Sequence, residues 1–359
     1  MDLESALELI NPGVRALKAY HLEPKDVAVK LNQNENPFDW PADVKGEVAA
    51  FCIRRPWNRY PDFIPSELKE ALAEYAGVGA GNVVVGNGSN EMLLVLLLTL
   101  TGAGRPLLTC QPTFTVYRLL ATGMGRDEEP VYLTDDLRFD VDAIVDALRR
   151  RPKAVLLLCS PNNPTGSALS EEEIRQVLDA HEGFCIIDQA YVEFGGFSAI
   201  PLIEEYPNLI VTRTFSKAFA AAGMRLGYMI GRAEVIAELN KMKLPYNINF
   251  FSDHVAKVML RRGKLVADRV SYIVNERQRI QKSLATLKDV TAYESNANFI
   301  LIRVGDKDAL VRSLERQDIL VRDVSAYPML ENCLRLSIGA AQENDRLMQA
   351  LSQHYSASA

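Results

Sequence analysis

The feature that most constrains the fold of this chain is an alternation beginning near residue 82. Short apolar runs (NVVVGNG, RPLLTC, AVLLLCS, FCIIDQA, LIVTRTFS, GYMIG) are separated by amphipathic stretches such as DVDAIVDALRRR and SEEEIRQVLDAH. Most of the runs are apolar at both odd and even positions. That is the pattern of strands buried on both faces, as in a parallel sheet covered by helices. The second amphipathic stretch opens with Ser170 and Glu173 at the spacing of a capping box. Repeated strand, helix, strand units imply right-handed crossovers and an α/β layer of about 200 residues.

Beyond that layer, helical character runs from about Ser252 to Leu287. Short strands (NANFILIRV, ILVRD, CLRLSIG) and two more helical segments follow. The pattern divides the chain into an N-terminal arm over 1–40, a large α/β domain over 41–250 and a smaller α+β domain over 251–359. Within the arm, LNQNENPFDWP is rich in asparagine and proline and suits an extended piece better than a regular element.

Composition removes several function classes. Hydrophobic residues are 48% of the chain and charged residues 24%, with a net charge of −6, so a nucleic-acid surface is not expected. The most apolar run, MLLVLLLTLTGAG from Met92, is shorter than the roughly 20 residues of a membrane span and reads as a buried helix. The acidic opening MDLESALELINPG lacks the basic and apolar regions of a signal peptide, which predicts cytoplasmic residence. The five cysteines are widely spaced without a CxxC pair, so neither a disulfide frame nor zinc is expected.

In an open parallel sheet, ligands bind outside the carboxyl ends of the strands. Here AVLLLC runs into SPNNPTG with Asn163, FCII runs into Asp188 and Tyr191, and LIVTRTF runs into Ser216 and Lys217. Taken singly, SPNNPTG can be a turn, Asp188 a helix cap and Lys217 a surface lysine. Folding alone gives no reason for three strand ends to supply an amide, a carboxylate and an amine together. Gly86-Asn87-Gly88-Ser89-Asn90 follows a strand and opens a helix, an arrangement that offers unpaired backbone NH groups to an anion. Thr214, Ser216 and Arg225 add two hydroxyls and a guanidinium on the segment that bears Lys217, which suits a phosphate monoester. Pyridoxal phosphate needs such a set: a lysine for the Schiff base, an acid for the pyridine nitrogen and a phosphate clamp.

With those residues in place, SPNNPTG, IIDQAYVEF, TFSKAFAAAGMRLGY and CLRLSIG, in this order, resemble the fold-type I pyridoxal-phosphate aminotransferases. Among these the chain is most similar to the histidinol-phosphate aminotransferase family, over essentially its whole length. The resemblance implies that Lys217 carries the cofactor, Asp188 bonds its ring nitrogen, and Asn163 and Tyr191 bond its phenolic oxygen. It implies stacking on the ring by Phe114. The phosphate falls to the backbone of Ser89 and Asn90 with Thr214, Ser216 and Arg225. Tyr60 reaches that phosphate from a neighbouring subunit, which makes the active unit a homodimer with shared sites. Arg335 grips the substrate's anionic end, with Arg322 as a second cation and Tyr20 near the phosphate of histidinol phosphate. The implied reaction moves an amino group from histidinol phosphate, a phosphorylated amine, to a 2-oxo acid, 2-oxoglutarate, in histidine biosynthesis.

Asn90 stands where many relatives carry aspartate, which leaves backbone phosphate binding intact and the role of its side chain open. An aromatic or broad-specificity aminotransferase shares the cofactor residues, as does a threonine-phosphate decarboxylase. A dinucleotide enzyme would need GxGxxG, and GNGSNE lacks the third glycine.

Overall fold

The computed structural model describes residues 1–17 and 25–357. Two sheets organise the chain. In order of sequence the strands are β1 (Val29–Leu31), β2 (Val83–Gly86), β3 (Leu107–Gln111), β4 (Glu128–Tyr132), β5 (Val155–Cys159), β6 (Cys185–Asp188), β7 (Leu209–Thr214), β8 (Gly227–Ile230), β9 (Val290–Ala292), β10 (Phe299–Val304), β11 (Ile319–Asp323) and β12 (Cys333–Ser337).

The larger sheet has seven strands in the order β2-β8-β7-β6-β5-β3-β4. Strands β4, β3, β5, β6 and β7 pair in parallel, and only β8 runs against its neighbours. Alternate residues of one strand enter two different cores. Val155, Leu157 and Cys159 meet the apolar side of helix Ser89–Leu100, while Leu156 and Leu158 join the core under helices Val141–Arg150 and Glu171–Asp179. Burial on both faces is what the unbroken apolar runs foretell. The capping box forms: the Glu173 amide donates to Ser170 Oγ at 3.2 Å and the Ser170 amide to Glu173 Oε2 at 2.7 Å.

The second sheet has five strands in the order β1-β11-β12-β10-β9. It is antiparallel except for β1, which pairs in parallel with β11, Val29 opposite Ile319.

Three expectations need correction. Leu31, the first residue of LNQNENPFDWP, belongs to β1, a regular strand. The long helical stretch is two helices, Phe250–Arg261 and Gly263–Leu284, broken at Arg262, whose φ of −100° and ψ of 30° leave the helical region just before a glycine. The apolar helix from Ser89 is not buried all round, since Leu94 and Leu98 on one face are 37% and 39% exposed. Among the described residues, no helix is long and apolar enough to cross a membrane. Two strands besides β1 escaped the sequence reading for physical reasons. β4 is an edge strand with Pro130 in it, and β9 is three residues long.

Candidate active site

A cavity of about 510 Å³ opens at the carboxyl ends of β5, β6 and β7. Every candidate residue singled out in the sequence lines it except Tyr60 and Tyr20. Tyr60 is 77% exposed and stacks on Tyr246 at 4.6 Å, away from the cavity of its own chain. Tyr20 lies outside the described residues.

The strand ends explain the convergence. β6 delivers Asp188 fully into the interior, where Tyr117 donates its hydroxyl to Oδ2 at 2.8 Å and Thr212 donates to Oδ1 at 3.0 Å. Burial raises the pKa of Asp188, and the hydroxyl donors oppose that by stabilising the carboxylate. Burial also holds the Tyr117 phenol well above its usual range, so it stays a donor. Phe114 meets the Tyr117 ring edge to face, centroids 5.6 Å apart, and presents its own ring to the cavity.

β7 ends at Thr214, and the chain turns through Ser216 to Lys217. The Lys217 amine donates to the Gln33 carbonyl at 3.0 Å and sits 5.8 Å from the centre of the Tyr191 ring. Withdrawal from water, reinforced by the positive charges of Arg335 and Arg225 and opposed by Glu35, pulls its pKa down to about 7. A lysine so tuned is divided between neutral and charged forms near neutral pH, as an amine that both attacks and relays protons must be.

A second group of donors forms one end of the cavity. Helix Ser89–Leu100 points its first turn there, and Gly88, with φ of 80°, makes the turn into it. A Cβ on Gly88 would stand 2.8 Å from Arg225 Nη2, so the guanidinium packs directly over the turn. Gly227 of β8 lies closer still, and a Cβ there would fall on the Ser89 amide nitrogen and the Gly88 carbonyl carbon. Thr214 donates to Ser216 Oγ at 3.0 Å, and Arg225 donates to the Ala222 carbonyl at 3.0 Å.

At the other end, Arg335 of β12 donates through Nη1 to Asn163 Oδ1 at 2.5 Å and through Nη2 to the Asn32 carbonyl at 2.9 Å. Arg322 of β11 is its register partner.

Matches to known proteins follow the same lines. The family model of aminotransferase class I and II matches residues 26–351. A histidinol-phosphate aminotransferase of Chlorobaculum tepidum is 42% identical over 345 residues, covering 96% of this chain and 99% of that protein. This chain belongs to the histidinol-phosphate aminotransferase family. The Chlorobium phaeovibrioides histidinol-phosphate aminotransferase is likewise 42% identical, with 96% of each chain covered. A crystal structure of histidinol-phosphate aminotransferase from Sinorhizobium meliloti in complex with pyridoxal-5'-phosphate superposes with a TM-score of 0.87 at 25% identity, over 99% of this chain and 100% of that one.

Several residues that line the cavity of this family member were not visible to sequence reasoning. Tyr117 sits inside a helix and looks like core. Tyr327 lies within the turns of the loop between β11 and β12. Asn32, Gln33 and Asn34 fall in the stretch taken for an extended arm, yet each touches a functional group. The signal for them was the density of asparagine in NQNEN. Asn34 adopts a φ of 55°, a backbone region that asparagine tolerates better than most residues.

Proposed function

We propose that this chain is a pyridoxal-phosphate-dependent aminotransferase that moves the amino group of histidinol phosphate to 2-oxoglutarate in histidine biosynthesis. The observation that carries the proposal is a single cavity holding an amine with a pKa of about 7, a buried carboxylate and a phosphate-sized cluster of donors. The residues fit the cofactor. Gly88 and Gly227 let the Arg225 guanidinium and β8 close directly on the turn that presents the Ser89 amide, and the Asp188 carboxylate, which accepts from two hydroxyls, has a lone pair left for a ring NH.

In this reading Lys217 holds the cofactor, Asp188 faces its ring nitrogen, Asn163 and Tyr191 face its phenolic oxygen, and Phe114 stacks on its ring. The backbone of Ser89 and Asn90 with Thr214, Ser216 and Arg225 hold its phosphate. When bound, the cofactor supplies an electron sink for the charge left when a carbon beside the amine loses its proton. Lys217 Nζ takes that proton and returns it, a relay that its lowered pKa favours. Asp188, whose oxygens accept from Tyr117 and Thr212, would be held ionised by the protonated ring nitrogen it faces.

Histidinol phosphate carries a phosphate where glutamate carries a carboxylate, and one site must take both. A planar guanidinium pairs bidentately with either, which suits Arg335, while Arg322 adds the second charge a dianion rewards. Tyr20 completes the phosphate end in the same proposal.

A homodimer with shared sites and a cytoplasmic location belong to this proposal. Tyr60, Phe63 and Tyr246 pack together in the open, and Leu94 and Leu98 add an exposed apolar helix face. A second copy covering that surface brings Tyr60 to the partner's phosphate site.

Steady-state rates with histidinol phosphate and with phenylalanine, each against 2-oxoglutarate, test the substrate. A far larger kcat/KM for histidinol phosphate is expected, and the reverse order selects an aromatic aminotransferase.

A further inference from the structure

Three consecutive residues before the large domain each touch one functional group of the cavity. The Asn32 carbonyl accepts from Arg335, the Gln33 carbonyl accepts from Lys217, and the Asn34 side chain donates through Nδ2 to the Tyr191 hydroxyl at 3.1 Å. The first two contacts use backbone carbonyls that any residue would present. The third depends on the asparagine itself.

Asn34 is buried, 1% exposed, and its hydrogen bonds fix which way its amide points. Its backbone NH donates to Ser337 Oγ at 2.9 Å, and that hydroxyl in turn donates to Asn34 Oδ1 at 3.0 Å. Oδ1 is therefore committed to Ser337, which leaves the NH₂ group for Tyr191. Asn298 holds the Asn34 carbonyl at 3.0 Å from the other side. A phenol that accepts a hydrogen bond from an amide NH₂ cannot spend its own proton on that partner. The Tyr191 proton is thus turned away from Asn34, on a ring already fixed edge to face against Phe299 at 5.3 Å.

We propose that Asn34 is a positioning residue that forces the Tyr191 hydroxyl to act as a donor into the cavity. This rests on the reading above in which Tyr191 faces the cofactor's phenolic oxygen. A donor to that oxygen stabilises its negative charge and lowers the pH at which the bound cofactor gives up its proton. Asn34 thereby sets the ionisation of the bound cofactor from two bonds away, without touching it.

The substitution Asn34→Asp is close to isosteric, keeps the contact with Ser337 and suits a positive φ, but offers Tyr191 an acceptor in place of a donor. Asn34→Gly also tolerates the backbone and removes the donor without adding charge. The readout is the pH midpoint of the absorbance change of the cofactor-loaded protein without substrate, measured for both variants with Tyr191 present and in a Tyr191→Phe background. Asn34→Asp is expected to raise the midpoint by about one pH unit more when Tyr191 is present than when it is phenylalanine. Asn34→Gly is expected to move it the same way by less. Equal shifts in the two backgrounds, or none in either variant, overturn the proposal. If Tyr191→Phe alone leaves the midpoint unmoved, the reading of Tyr191 as a cofactor contact is at fault and the role of Asn34 falls with it.

Discussion

Arg322 and Arg335 stand directly opposite one another on neighbouring antiparallel strands, and both line the cavity that contains Lys217. Both guanidiniums line one cavity, so an anion bound there meets two cations, each able to pair with it bidentately. Inorganic phosphate added to the cofactor-loaded protein should therefore raise Tm, by mass action worth about 2.7 kcal/mol at a hundred times Kd. Arg322→Ala should shrink that shift and raise KM for histidinol phosphate more than for 2-oxoglutarate. Arg335→Ala should raise both. Thermal melts with a phosphate titration, paired with steady-state kinetics, check this, and a phosphate shift unaltered in Arg322→Ala excludes that residue from the anion site.

The lowered pKa of Lys217 has a sign that can be followed in cofactor-free protein. Only the neutral amine attacks a carbonyl, so capture of pyridoxal phosphate should rise about tenfold per pH unit below 7 and level off above it. An ordinary lysine would keep gaining until about pH 10.4. Stopped-flow absorbance between pH 5.5 and 9, at about half-unit steps, distinguishes the two. Lys217→Ala should abolish the borohydride-reducible linkage at every pH.

Gly227 meets the Gly88–Ser89 turn with no space for a side chain. Gly227→Ala must push β8 away from Ser89, at the cost of about 1–3 kcal/mol for overpacking. Cofactor retention should fall with it, because in the proposed site the displaced amide is the one offered to the phosphate. Urea unfolding and equilibrium dialysis report the two effects separately, and unchanged retention in a destabilised variant would remove the Ser89 amide from the clamp.

Tyr117 contributes through Asp188. Tyr117→Phe leaves the ring packing against Phe114 in place and removes one of two hydroxyl donors to a buried carboxylate. A hydrogen bond to a charged group is worth about 1.5–3 kcal/mol, so a loss of stability in that range is expected without any change in helix content. Faster cofactor dissociation, followed by absorbance after dilution, should accompany it.

The large sheet and the strand-end residues were legible because folding and chemistry pull the same way there. Unbroken apolar runs mark buried strands, and Asp188 and Lys217 stand out as charges at their ends. What escaped was of another kind. Asn32 and Gln33 act through backbone carbonyls, which no residue type advertises. Tyr117 serves through a hydroxyl on an otherwise apolar helix face, where periodicity reads only the ring. The break at Arg262 depends on one residue leaving the helical region inside a stretch whose amphipathic pattern continues.

Among the described residues β1 pairs with β11 alone, and the two are separated by almost the entire chain. During synthesis, Val29–Leu31 emerge early and have nothing to pair with until Ile319–Val321 have cleared the ribosome. The three residues that follow β1 hold Arg335, Lys217 and Tyr191. The large sheet can close while the ribosome is still translating, but its chemistry waits for the last strands. A polypeptide that ends before Ile319 keeps Lys217 and residues 32–34 but has no strand on which to anchor β1, so the segment that meets Lys217, Tyr191 and Arg335 loses its hold on the small sheet.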